Sequence, residues 1–197
     1  MENCCNCVPY KFVSDQKKTL ATDEDIKENI RIIEIHRSFV YAFGKTVYPE
    51  YNFIGHDLSK FSSAELEPYT IKFVNKAPDS ENPGWESALE HHYKNNPHHP
   101  QYWEGKPMPE EFLKESIIDM LAARYQYREE KEVLPDRLQP GMFDVQPMYL
   151  TRYIDSDRKR VEEEVARLKT IDWSSKPIKG LNFFVSPNVN TRTKIHN

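Results

Sequence analysis

The chain has 197 residues, 29% of them charged and 38% hydrophobic, with 14 Pro against 6 Gly. That length fits one domain with an appendage and buries a core without needing disulfides or a structural metal. A formal charge of −4 and an aromatic content of 12% exclude general nucleic-acid binding and a disordered chain, and no apolar run is long enough to span a membrane.

Residues 1–21 read as a loose leader with no apolar signal core. Its three cysteines, Cys4, Cys5 and Cys7, are odd in number and clustered, which is not a secreted disulfide framework. A fourth ligand at finger-like spacing is missing. The expectation is an exposed tail in a reducing, intracellular (cytoplasmic) compartment, with lipidation of the thiols left open.

Residues 22–134 read as the helical body. Thr22 can cap a helix running to about Lys45, with Asp23, Glu24 and Asp25 in its first turn and Gly44 as its stop. Ile26, Ile30, Ile33 and Val40 keep helical spacing, and His36 shares a face with Ile32, Phe39, Val40 and Phe43. After a turn containing Pro49, a second helical stretch is expected from His56 to about Val74, interrupted near Pro68. Residues 75–84 read as a loop, Trp85 to Lys94 as a helix, and Asn95 to Pro109 as a Pro-rich loop. Pro109 then opens a long helix to about Val133.

Residues 135–197 form a Pro-rich, partly irregular extension. Ser156 is placed as the cap of a charged helix, Asp157 to Leu168. From Lys176 the chain reads as an extended tail around the apolar patch Leu181 to Val185. No sustained alternation of period two occurs, so the fold class is all-α.

Six of the seven histidines fall between residues 36 and 99: His36, His56, His91, His92, His98 and His99. Carboxylates accompany them: Asp57 directly after His56, and Asp119 with Glu115 one helical turn before it. Neutral imidazole is the commonest metal ligand, and an unpaired carboxylate on a mostly apolar helix is costly to bury. Mixed nitrogen and oxygen donors without thiolate suit Mn, Fe, Ni or Zn. Neighbours such as His56 and Asp57 lie about 100° apart around a helix, so both reach one ion only at a helix edge. Taken singly, each residue has a plainer reading. His36 is a core histidine, Asp57 a helix cap, Lys60 and Glu65 surface charges, and His98-His99 a rigid loop packed on Tyr102 and Trp103.

The order His36, His56-Asp57, Asp119 resembles the HD superfamily of metal-dependent phosphohydrolases. A tighter likeness spans Glu34 to Arg124. The strings GHDLSKFSSAELEPY, HHYKNNPHHPQYW and ESIID are similar to those of an uncharacterised family of phages, large DNA viruses and bacteria. The first resemblance implies an HD-domain-like helical bundle in which His36, His56, Asp57 and Asp119 hold one divalent transition metal. It further implies that His92 and His98, with His91 and His99 as alternates, hold a second across a bridging Asp57. It departs from some HD nucleotidases in placing Lys60 where they carry a glutamate, so Lys60 is expected to bind a phosphate oxygen instead. Arg37, Lys94 and Arg124 are further candidate phosphate-binding groups.

The function expected on that basis is hydrolysis of a phosphomonoester, a nucleotide in the leading case, by metal-activated water that Asp57 orients and whose charge development Lys60 balances. Two other readings compete: a metal-stabilised binding module and a di-iron oxygenase on the same scaffold. The expected partners are a small phosphorylated substrate and a second copy of the chain met through the C-terminal extension, with no membrane.

Overall fold

The computed structural model describes residues 21–178. The leader with its cysteines, His196 and the patch from Leu181 to Val185 lie outside them. The fold is all-α, with no strand among the described residues and only an isolated bridge between Arg137 and Pro177. No helix is long and apolar enough to cross a membrane.

Helix α1 covers Asp23–Val47. Thr22 and Asp25 cap it reciprocally: the Asp25 amide donates to Thr22 Oγ1 at 3.2 Å and the Thr22 amide to Asp25 Oδ2 at 2.9 Å. Such a capping box satisfies two amides that the first turn leaves without partners. Gly44 does not stop the helix but lies inside it. A Cβ there would stand 2.5 Å from Cδ2 of the buried Phe53, so glycine is what lets the following loop cross the helix at this distance.

The second helical stretch does not start at His56. Residues 53–57 form tight turns, a 3-10 turn follows at Leu58–Phe61, and α2 covers only Leu66–Phe73. Pro68 sits in the first turn of α2, where a missing amide costs nothing, so the break falls before it. Helix α3 covers Trp85–Asn95. Helix α4 covers Glu110–Ala123, shorter than its periodicity predicts. Its last residues widen into a π turn at Arg124–Arg128, and Glu130 then takes a left-handed φ of 52° that no helix continues through. That widening aims Gln126 at α1, where it donates to the Ile32 carbonyl at 2.9 Å.

In the extension, α5 is a single turn, Pro147–Leu150, and α6 covers Asp155–Lys169. Ile154, not Ser156, occupies the capping position. The anchor at this end is Asp157, which accepts from the Met108 amide at 2.8 Å and pairs with Arg160.

Phe39 and Phe43 of α1 meet the edge of Tyr125 at 5.4 and 5.8 Å. Leu113, Ile117, Ile118 and Leu121 of α4 continue this core, and Leu138, Phe143, Val161, Val165, Leu168 and Trp173 belong to the same cluster. Full burial of each such side chain contributes about 1.5–3 kcal/mol. The described part of the extension is therefore packed into the core of the helical body. Helices α1 and α4 lie side by side, and this pairing brings His36 and Asp119 to one level of the bundle.

Candidate metal centre

His36 and Asp119 face each other across α1 and α4, with His36 Nε2 2.9 Å from Asp119 Oδ1. His56 and Asp57 come from the loop between α1 and α2. Asp57 has a φ of 55°, a left-handed conformation that aspartate tolerates better than bulkier residues. This corrects the helix-edge geometry expected from sequence: a turn, not a helix start, directs both side chains inward. Arg37 holds the loop in place, donating Nε to the His56 carbonyl at 2.7 Å and a terminal nitrogen to the Ile54 carbonyl at 2.9 Å.

His36, His56 and Asp119 converge here, their ligating atoms within 4.8 Å of one another, with Asp57 beside His56. His56 Nε2 lies 3.3 Å from His36 Nε2, 3.4 Å from Asp57 Oδ2 and 3.6 Å from Asp119 Oδ1. Ligands about 2.0–2.2 Å from a shared ion stand roughly 2.9–3.5 Å apart at octahedral to tetrahedral angles. The donors present match that spacing.

The other oxygen of Asp57 faces a second set. Asp57 Oδ1 is 3.5 Å from His92 Nε2 and 3.5 Å from His98 Nε2. His99 Nε2 lies 2.8 Å from His92 Nε2, and the ligating atoms of Asp57, His92, His98 and His99 fall within 4.8 Å of one another. Asp57 Oδ1 and His98 Nε2 are both buried and lack a hydrogen-bond partner among the described residues. A buried carboxylate oxygen and an imidazole nitrogen left without partners are costly, and a cation between them removes that cost. His91 is not part of this convergence. Its Nδ1 meets Glu65 instead, at 2.6 Å.

Two carboxylates orient these rings: Glu115, which the sequence placed beside Asp119 without a role, and Glu65, which it did not place among the site residues. Glu65, expected at the surface, is fully buried and also meets His92 Nδ1 at 2.9 Å. Glu115 meets His56 Nδ1 at 2.9 Å. In each case a proton on Nδ1 is held by the carboxylate, so Nε2 is the nitrogen turned toward the centre. The HDLSKF string ends at Phe61, and a surface-like run (SSAE) hides Glu65. The only available signal is its position directly before the first residue of α2. The Pro-rich loop carrying His98 is pinned by Trp103 Nε1, which donates to the Pro97 carbonyl at 2.7 Å, and by Asn96, whose amide donates to Ser59 Oγ at 2.6 Å.

The electrostatics favour a cation. Burial alone would raise the Asp57 carboxyl, yet His56 and Lys60 hold it well below the usual carboxylate range. Burial opposes a charge on His56, but Asp57, Asp119 and Glu115 raise its pKa to about 10. Burial keeps His36 and His98 neutral, and with His92 beside it pushes His99 down to about 3. Neutral rings are the ligating form. Lys60 lies 2.7 Å from Asp57 Oδ2, and that carboxylate holds the ammonium charged against the effect of burial. Among the rings His56 is the exception: its carboxylate neighbours hold it charged, so a metal taken up at its Nε2 must displace a proton. The carboxylates Asp57, Glu65, Glu115 and Asp119 that border the rings favour that exchange of one cation for another.

The remaining candidates part ways. Lys94 pairs with Glu90 at 2.5 Å on the solvent face of α3. Arg37 is engaged by the loop carbonyls. Arg124 pairs with Glu129 at 3.4 Å and donates to the Asp144 carbonyl at 3.0 Å. Lys60 is the cation that the fold delivers to the cluster. Tyr127, which sequence reasoning passed over, stacks on His36 with ring centroids 5.7 Å apart.

Fold and site together define an all-α protein with a buried histidine and carboxylate centre able to hold a metal ion. The chain belongs to DUF5662, a family of unknown function, whose family model matches residues 25–166. No curated protein and no solved structure matches it.

Proposed function

We propose that this protein is a metal-dependent phosphohydrolase acting on a small phosphomonoester. The observation that carries the reading is Asp57, whose Oδ1 faces His92 and His98 at 3.5 Å while its Oδ2 lies 3.4 Å from His56 and 2.7 Å from Lys60. The order of His36, His56-Asp57 and Asp119, resembling the HD superfamily, supports it. The groups with a claim to the ion are His36, His56, Asp57 and Asp119, with His92, His98 and His99 on the far side of Asp57. A bound divalent transition metal supplies a water acidic enough to attack at neutral pH and polarises a phosphoryl oxygen.

The chain's own residues do the rest. Asp57, kept ionised by its cationic neighbours, accepts a hydrogen bond from the attacking water and so aims it. Lys60 offsets the negative charge that gathers on the transferring phosphoryl group. Glu65 and Glu115 keep His92 and His56 in the ligating tautomer. Burial of the cluster strengthens each of these interactions relative to bulk water.

The test is an Asp57→Asn variant assayed with p-nitrophenyl phosphate and a panel of nucleoside monophosphates. The amide keeps the shape and removes the charge. A loss of turnover of at least about 100-fold is expected, the size typical when one transition-state electrostatic or acid–base group is lost. Unchanged turnover in the variant, or no turnover by metal-replete wild type on any ester tried, contradicts the reading.

A further inference from the structure

A cavity of about 560 Å³ opens beside the centre, with Asp119 in its wall. One side is built by the end of α4 and its π turn, the other by the segment around α5 in the extension. Ile117 and Leu121 give it an apolar floor. Its volume falls within the range of small-molecule sites and far exceeds what one phosphate group occupies.

Three guanidinium groups line it: Arg124, Arg128 and Arg152. Arg124 is neutralised by Glu129 and Asp144. Arg128 and Arg152 have no carboxylate partner among the described residues, and Arg152 lies over the Tyr149 ring at 5.2 Å. They come from different elements, Arg128 from the π turn and Arg152 from the turn after α5, and both line this cavity. Two uncompensated cations facing one cavity attract an anion, and a planar guanidinium is shaped for a carboxylate or phosphate. The reacting phosphoryl group already has Lys60 and the metal centre, so the arginines are left for a different charge.

We propose that this cavity receives the non-reacting part of the substrate, and that this part is an organic body bearing a second anionic group paired by Arg128 and Arg152. The substrate class is thus a phosphorylated small molecule with two separated anionic groups. The extension then serves as the specificity wall of the site. The inference rests on the hydrolase reading in placing the reacting group at Asp57 and Asp119.

The test uses two phosphonates, whose C–P bond is not hydrolysed: benzylphosphonate, with one anionic group, and 4-carboxybenzylphosphonate, with two. Their affinities for the full-length, metal-replete protein are measured calorimetrically, with Arg152→Gln and Arg128→Gln beside wild type. Hydrogen bonds between charged groups make the expected preference of wild type for the carboxylate-bearing probe at least about tenfold. Both variants should bring the ratio close to one. Both arginines are exposed, so the substitutions leave the core intact. Equal affinities in wild type, or a preference that survives both substitutions, overturn the inference and leave the hydrolase reading standing. A protein that keeps the arginine-dependent preference yet hydrolyses no ester upholds the pocket and removes the hydrolase reading.

Discussion

At the scale of single residues, the centre depends on which nitrogen of each ring faces inward. Glu65 makes that choice for His92 while also meeting His91. Glu65→Gln keeps the volume but leaves one oxygen to accept from two Nδ1–H groups. Metal affinity, measured by competition with a chromogenic chelator, should fall about 10–100-fold, the usual consequence of losing a partner that orients a ligand. Undiminished affinity would mean that His92 is oriented by other means. The residues that supply nitrogen and oxygen to the centre were legible in sequence because histidines and aspartates in a row of this order have few other uses. Glu115 was legible as a companion of Asp119 but not in its role, and Glu65 was not legible, because a glutamate beside a helix is usually solvated and nothing local distinguishes the buried exception. Lys94 shows the converse: adjacency to a ligand-bearing stretch put it among the candidates, but two residues along a helix from His92 turns it to the opposite face.

At the scale of elements, the loop carrying His56 and Asp57 is set by how closely it crosses α1. Gly44 permits that crossing. Gly44→Ala would gain up to about 1 kcal/mol of helix propensity. The added methyl meets the buried Phe53 ring at 2.5 Å, and overpacking of this kind costs about 1–3 kcal/mol. A net loss of stability in chemical denaturation is expected. Gly55→Ala, whose Cβ meets nothing within 4 Å, is the control. Equal stabilities would contradict this account of the crossing. Helix α1 was readable from its cap and periodicity and α3 from its composition, both nearly to the residue. The stretch from His56 was misread as helix because its composition is helical. Its backbone is governed by two distant tethers, the Arg37 side chain and the Phe53 contact, which composition does not encode. The end of α4 was overextended for a similar reason: the π turn widens to satisfy Gln126 against α1, a tertiary demand.

At the scale of the whole molecule, the described part of the extension is tied back to the body as well as packed on it. Tyr48, at the end of α1, donates its hydroxyl to Glu164 Oε1 of α6 at 2.8 Å. Arg167 and Tyr48 hold the Glu164 carboxyl below its ordinary 4.5. A depressed folded-state pKa means this tie is fully present above pH 4.5 and is lost as the pH falls through the lower folded value. Wild type should therefore lose stability in that acid window faster than Tyr48→Phe, read as the pH dependence of the unfolding midpoint; parallel curves would show that the tie contributes nothing. The all-α class was legible from the absence of period-two alternation. The packing of the extension into the core was not, because prolines and short turns between residues 135 and 154 carry no period that points to a partner surface. All of this architecture converges on one claim, that the buried histidines and carboxylates hold a metal ion. The direct measurement is elemental analysis of untagged protein, wild type beside His56→Ala. One or two equivalents of Mn, Fe, Ni or Zn in wild type, falling to background in the variant, is the predicted result. Wild type without stoichiometric metal even after reconstitution, or a variant that retains its full metal content, would contradict it.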